Sequence, residues 1–187
     1  MENIVIHIDG VQGSGKSYIC SKLKNIVCID TDNIMEQTKK QVSKILERDF
    51  PAKINKTTLK LIQQEELKIV QKYIENNAFI VFVGMTVKIP NPTYKFFIKI
   101  DDHETVYKRL LLRELDKIVI NHKKIQTYIK NTNPKEMRIA SVSKQSIQFA
   151  EPFDAFLEDY KERLKDAKKQ KFLIKTQEQI IDFINNL

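Results

Sequence analysis

Short apolar runs and longer amphipathic stretches alternate along the whole chain. Residues 4–8 are apolar apart from His7 and stop at Asp9-Gly10, the pattern of a buried strand. A glycine-rich turn follows, and residues 16–24 then read as a helix. A second short run, 26–29, ends at Asp30. Thr31 or Asp32 can cap a helix reaching about residue 48, because a side-chain oxygen there can accept from an exposed amide. Pro51 breaks that segment. Thr57 or Thr58 opens the next helix, with Leu59, Ile62, Leu67, Val70 and Ile74 at helical spacing and Asn76-Asn77 closing it. Residues 78–83 form the most apolar strand. A turn-rich gap containing Pro90 and Pro92 leads to a fourth strand at 95–100, and Asp101 or Asp102 caps a long helix over 103–120. A helical but interrupted segment breaks at 131–134, and Pro152 starts or kinks a helix to about residue 169. A last strand at 172–174 and a last helix at 177–187 complete the chain. Five short strands alternating with helices predict one α/β domain over residues 1–187, a parallel sheet with helices on both faces and right-handed crossovers.

Composition narrows this little. The chain is 42% hydrophobic and 30% charged, with 4 Gly and 5 Pro in 187 residues, which supports one packed core and argues against disorder or a fibrous class. Its net charge of +8 suits acidic partners such as nucleotides or nucleic acid. The excess is concentrated: Lys117, Lys123, Lys124, Lys130, Lys135, Arg138 and Lys144 face the single acid Glu136 between residues 117 and 150. Only Tyr128 and Phe149 are aromatic there, too few for a base-stacking platform, so a solvated basic helix is the default and nucleic-acid binding the sharper alternative. Cys20 and Cys28 lack metal-ligand spacing and are expected to be reduced core thiols. The N-terminus lacks a signal-peptide pattern, and no apolar run approaches the roughly 20 residues that span a bilayer, so a cytoplasmic protein without a membrane partner is expected. His7, His103 and His122 are too scattered to suggest a zinc site or a catalytic triad.

The chemistry begins at Gly10-Val11-Gln12-Gly13-Ser14-Gly15-Lys16-Ser17, which satisfies G-x-x-x-x-G-K-[ST] between a strand and a helix. Glycines let successive backbone N–H groups turn inward around a phosphate. The helix N-terminus adds about half a positive charge where the anion sits. Lys16 can reach the β- and γ-phosphates, and the Ser17 hydroxyl can coordinate Mg²⁺. Gly10, Gly13, Ser14, Gly15, Lys16, Ser17 and Tyr18 are therefore the expected contacts to ATP.

Asp30 and Asp32 stand two residues apart at the end of the second strand, where ligands of parallel α/β sheets collect. One can hold Mg²⁺, the reading assigned to Asp30 with Ser17. The other, Asp32, can orient or deprotonate an acceptor hydroxyl, or it can simply cap the helix. Asp9 is either a third acid near the metal or only a strand end. Residues 78–83 run into Gly84 rather than an acid, which argues against a motor ATPase.

The pattern Ile-Asp-Gly-Val-Gln-Gly-Ser-Gly-Lys-Ser, followed about fifteen residues later by Ile-Asp-Thr-Asp, resembles the nucleoside/nucleotide kinase group of P-loop proteins. The Asp-x-Asp arrangement is most similar to shikimate kinases and their gluconate- and cytidylate-kinase relatives. The resemblance implies a P-loop NTPase domain whose five-stranded sheet has the order 2-3-1-4-5. It also implies a helical substrate flap over about 35–76, an arginine-bearing lid within about 103–150, and an adenine-contacting loop near Lys175-Thr176. Arg109 and Arg113, spaced i, i+4, are the expected catalytic partners of Lys16 and Asp32, since a guanidinium fork meets phosphate oxygens bidentately. Alternatively they form a solvated face pairing with Glu104 and Glu114. The expected activity is transfer of the γ-phosphoryl group of ATP, with Mg²⁺, to a small acceptor such as a nucleoside or nucleoside monophosphate. The alternatives are a nucleic-acid binder such as a polynucleotide 5′-hydroxyl kinase, and a P-loop ATPase or switch.

Overall fold

In the computed structural model, residues 3–47, 49–116, 123–134 and 153–187 are described. The chain runs β1 (Ile4–Asp9), α1 (Lys16–Lys22), β2 (Val27–Asp30), α2 (Thr31–Leu46), α3 (Lys56–Glu75), β3 (Phe79–Val83), β4 (Tyr94–Ile98), α4 (His103–Asp116), α5 (Lys123–Asn131), α6 (Phe153–Lys169), β5 (Leu173–Lys175) and α7 (Gln177–Asn185). All strand pairs are parallel and their order is β2-β3-β1-β4-β5, the order expected of the P-loop kinase group. This is a single P-loop α/β domain. Of the basic segment, residues 117–122 and 135–152 lie outside the described residues.

The strands are apolar almost throughout because both faces of the sheet are covered. Successive side chains alternate across the pleat. Ile6, Ile8, Val81, Val83, Phe96 and Ile98 pack towards α1 and α7, with Ile19, Ile180 and Ile184. Val5, Ile80 and Phe82 point the other way, to Ile34 and Val70 of α2 and α3. Phe97 extends that second face to a cluster built from α4, α5 and α6, including Tyr107, Leu111, Phe153, Phe156 and Tyr160. Tyr107 meets the Phe153 and Phe156 rings at 5.2 and 5.5 Å, and the Tyr160 hydroxyl accepts from the Ile100 amide at 3.2 Å. These contacts anchor α6 against α4 and the sheet.

Three local expectations are corrected. The cap of α2 is neither Thr31 nor Asp32: β2 runs straight into the helix, and extended Asp30 accepts from the Asp32 amide at 2.9 Å. The cap of α3 is Asn55, which accepts from the Thr58 amide. The cysteines are not free thiols. Cys20 on α1 and Cys28 on β2 form a disulfide, their Cα atoms 5.7 Å apart, because the short connection between α1 and β2 folds the strand back beside the helix. They therefore lend no support to a reducing compartment. Among the described residues no helix is long and apolar enough to cross a membrane.

Candidate active site

The phosphate loop joins β1 to α1 and is held from three sides. Gly13 (φ 79°) lies under α4, where an added Cβ would approach the Val106 carbonyl oxygen to 3.2 Å. Gly15 (φ 88°) is the N-cap of α1, and Gln177 of α7 presses against it while donating to the Ser14 carbonyl. At the strand end, the Gly10 amide donates to Asp9 Oδ1 at 2.6 Å. Lys16 folds over the loop, its Nζ donating to the Gly10 and Val11 carbonyls at 2.6 and 3.0 Å. Burial pushes its ammonium below the usual 10.5, while Asp9 and Asp30 favour the charged form. Burial raises the Asp9 carboxyl, opposed by the Gly10 amide, His7 and Lys16.

A cleft of about 900 Å³ opens beside this loop. It brings together Lys16, Ser17, Asp30, Asp32, Arg109 and Arg113, residues separated by up to 97 positions in the chain. Gly10 and Ser14 are buried within the loop. Tyr18 is not among the residues lining the cleft: it is 46% exposed and lies beneath the Lys22 ammonium. Asp30 carries the helix cap, which leaves Asp32, in the first turn of α2, with its carboxylate at the cleft. Asp32 Oδ1 accepts from Thr86 Oγ1 at 3.2 Å, and the same hydroxyl lies 2.8 Å from Thr31 Oγ1.

The turn after β3 supports that acid, and His7 supports the turn. His7 Nε2 lies 2.8 Å from the Gly84 carbonyl oxygen and so carries the proton it donates. Burial lowers its pKa from 6.5, opposed by this bond. Isolated in the sequence, His7 gave no chemical signal; it braces one rim of the cleft. Gly84 has φ 120°, and a Cβ there would come within 2.1 Å of Thr31 Oγ1. Gly84→Ala is accordingly expected to destabilise the fold by about 2–4 kcal/mol, combining left-handed strain with overpacking. Urea denaturation measures this, and an unchanged midpoint would show that the turn relaxes freely.

Sequence reasoning missed two further residues. Asp159 and Arg163 on α6 line the same cleft. Both Asp159 oxygens accept from Arg163 Nε, at 2.8 and 2.7 Å, and Arg163 Nη1 contacts the Met85 thioether. Their i, i+4 spacing on an amphipathic helix was visible, but it is also what a solvated helix face looks like.

Two observations show that the loop suits an anion. It ends at the N-terminus of α1 with the Lys16 ammonium folded over it. The Ser14 hydroxyl is also buried with no hydrogen-bond partner among the described residues, a polar orphan that a phosphate oxygen would satisfy. Among the described residues, no group of three or more His, Cys, Asp or Glu is disposed to hold a metal. Mg²⁺ in phosphotransferases is held by one or two protein oxygens, with phosphate oxygens and water completing its shell. Ser17 and Asp30 are of the right chemistry.

No family model matches this chain, and no curated protein matches it in sequence. Among solved structures, it is similar to a shikimate kinase from Bacteroides thetaiotaomicron, at 11% identity and a TM-score of 0.47, covering 98% of this chain and 97% of that one. It is similar to the protein TT1252 from Thermus thermophilus at 15% identity and a TM-score of 0.48, covering 92% and 100%. A shikimate kinase from Aquifex aeolicus gives 18% identity and 0.46, covering 97% and 94%. Identities this low say nothing about the substrate.

Proposed function

We propose that this chain is an ATP-dependent phosphotransferase that moves the γ-phosphoryl group of ATP to a hydroxyl of a small acceptor, a nucleoside or nucleoside monophosphate. One observation carries the reading: a loop built for phosphate, with its lysine, shares a single cleft with a strand-tip carboxylate and three arginines.

The loop amides and Lys16 hold the triphosphate, with Ser14, Gly15 and Ser17 around it. Ser17 and Asp30 would hold Mg²⁺, which would supply charge neutralisation to the phosphates. Asp32 accepts a hydrogen bond from the acceptor hydroxyl and takes its proton as the oxygen attacks phosphorus. A new P–O bond forms to the acceptor, the bond from the γ-phosphorus to the β–γ bridging oxygen breaks, and ADP departs with that electron pair. Arg109 and Arg113, on α4 above the loop, meet the equatorial oxygens of the transferring group. Little covalent work falls to the protein, so rate comes from alignment and charge compensation. The helices α2 and α3 serve as the acceptor flap.

The test is ADP formation across a panel of nucleosides, nucleoside monophosphates and small polyols. The expected result is ADP release at least about tenfold faster with one acceptor class than without any, with a phosphorylated product in equal amount. ATP bound tightly but hydrolysed at one rate regardless of acceptor would overturn the reading in favour of an ATPase.

A further inference from the structure

A second hollow lies between α2 and α3 and shares no lining residue with the cleft. Its volume, about 820 Å³, falls within the roughly 300–1,000 Å³ that small-molecule sites occupy. Its walls are basic. Lys40 and Lys44 line it from α2, and Lys68 and Lys72 from α3, each pair one helical turn apart, with Lys39 beside them. Glu65 is the only acid among the lining residues, and it is already bound to Lys68 at 2.6 Å. Among the described residues, no carboxylate is within ion-pair distance of Lys40, Lys44 or Lys72, and all three are exposed. Half-buried Tyr73 ties the two helices together, its hydroxyl accepting from Gln37 Nε2 at 2.9 Å. The basic stretch is short. Glu36 and Glu47 bracket it along α2, and Glu66 and Glu75 along α3.

We propose that this hollow is a second anion site, taking a compact ligand that carries two or more phosphate groups. Like charges one turn apart on a helix repel, and here two such rows line one hollow with a single acid among them. A bound polyanion relieves that repulsion. It replaces it with charge-assisted hydrogen bonds from ammonium groups, each of which offers three N–H donors. Five lysines against one glutamate leave +4, more charge than one phosphate group, at most about −2, can match. A long strand would have to leave past the bracketing carboxylates, whereas a compact ligand stays among the lysines. Such a ligand would bind without displacing the nucleotide, since the two sites have no residue in common.

Labelling of the full chain by an amine-reactive ester, mapped by mass spectrometry, is the test, because it reads each lysine separately. The probes are inorganic tripolyphosphate and a nucleoside triphosphate, each compared with sodium chloride of equal ionic strength. With the probe at about ten times its dissociation constant, labelling of Lys40, Lys44 and Lys72 is expected to fall severalfold. Exposed Lys161 and Lys171, outside both sites, should be labelled as before. Probe bound on the phosphate loop shows separately, at Lys16. Whichever probe protects at the lower concentration identifies the source of the phosphates. Lys40→Gln combined with Lys72→Gln is expected to raise the tripolyphosphate concentration that half-protects Lys44 by about tenfold or more. Unchanged labelling of the three lysines in the parent protein, or an equal fall in sodium chloride alone, overturns the proposal. Stronger protection by a single-stranded oligonucleotide of about ten nucleotides does the same, since it would make the hollow part of a nucleic-acid track. A half-protection point unmoved in the folded double variant also overturns it, and should that variant not fold, the parent's labelling decides alone.

Discussion

Replacing Asp32 with Asn is expected to leave ATP affinity within about twofold of the parent protein while lowering acceptor-dependent turnover by roughly 10²–10⁴-fold, the range for loss of a positioned general base. The substitution keeps size and shape. It also keeps an oxygen for the hydrogen bond from Thr86, and the helix cap is untouched because Asp30 supplies it. Only the negative charge and the ability to take a proton disappear. Steady-state kinetics with the acceptor found by the panel, beside a direct titration of ATP, separates the two quantities. Unchanged turnover would return Asp32 to an ordinary first-turn acid favoured by the helix dipole. A parallel fall in ATP affinity would mean that the carboxylate acts on the metal-nucleotide complex, the role here given to Asp30.

Lys16→Ala is expected to act on both quantities. The ammonium already sits over the loop, bonded to two of its carbonyls, so little rearrangement separates it from a bound phosphate. A hydrogen bond to a charged group contributes about 1.5–3 kcal/mol, which predicts ATP binding weakened by roughly tenfold or more. Removing a preorganised donor from the transferring group costs about 10²–10³ in turnover. The loss should occur without comparable loss of stability, because burial disfavours the lysine's charge in the folded chain. Asp9 would lose a neighbouring cation, and its carboxyl would be pushed still higher. Calorimetric ATP titration and thermal melting of the same sample check both halves. A variant that binds ATP normally would remove Lys16 from the phosphate site.

The local parts of this site were legible for a physical reason: each is specified within one short segment. The loop from Gly10 to Ser17 needs its residue types at fixed spacing to bend around an anion, and the acidic pair sits where an apolar run visibly stops. Even here, neighbouring groups competed. Thr31 or Asp32 was the expected cap of α2, and only the direct passage from β2 into the helix gave that place to Asp30. Cys20 and Cys28 looked like isolated thiols because spacing along a chain does not report how a helix and the following strand pack.

His7 carried no readable signal, and Gly84 and the Asp159–Arg163 pair only ambiguous ones, since the place of each at the cleft depends on partners distant in the chain. His7 is 77 residues from the carbonyl it supports. Met85 and Arg163 are 78 apart. Hydrophobic periodicity and one phosphate-binding motif thus determined the elements, their layering and the nucleotide end of the cleft, because those depend on short-range spacing and on which faces must be buried. Tertiary packing alone decided the α6 wall of the cleft, because its groups come together only where helix α6 and the turn after β3 meet.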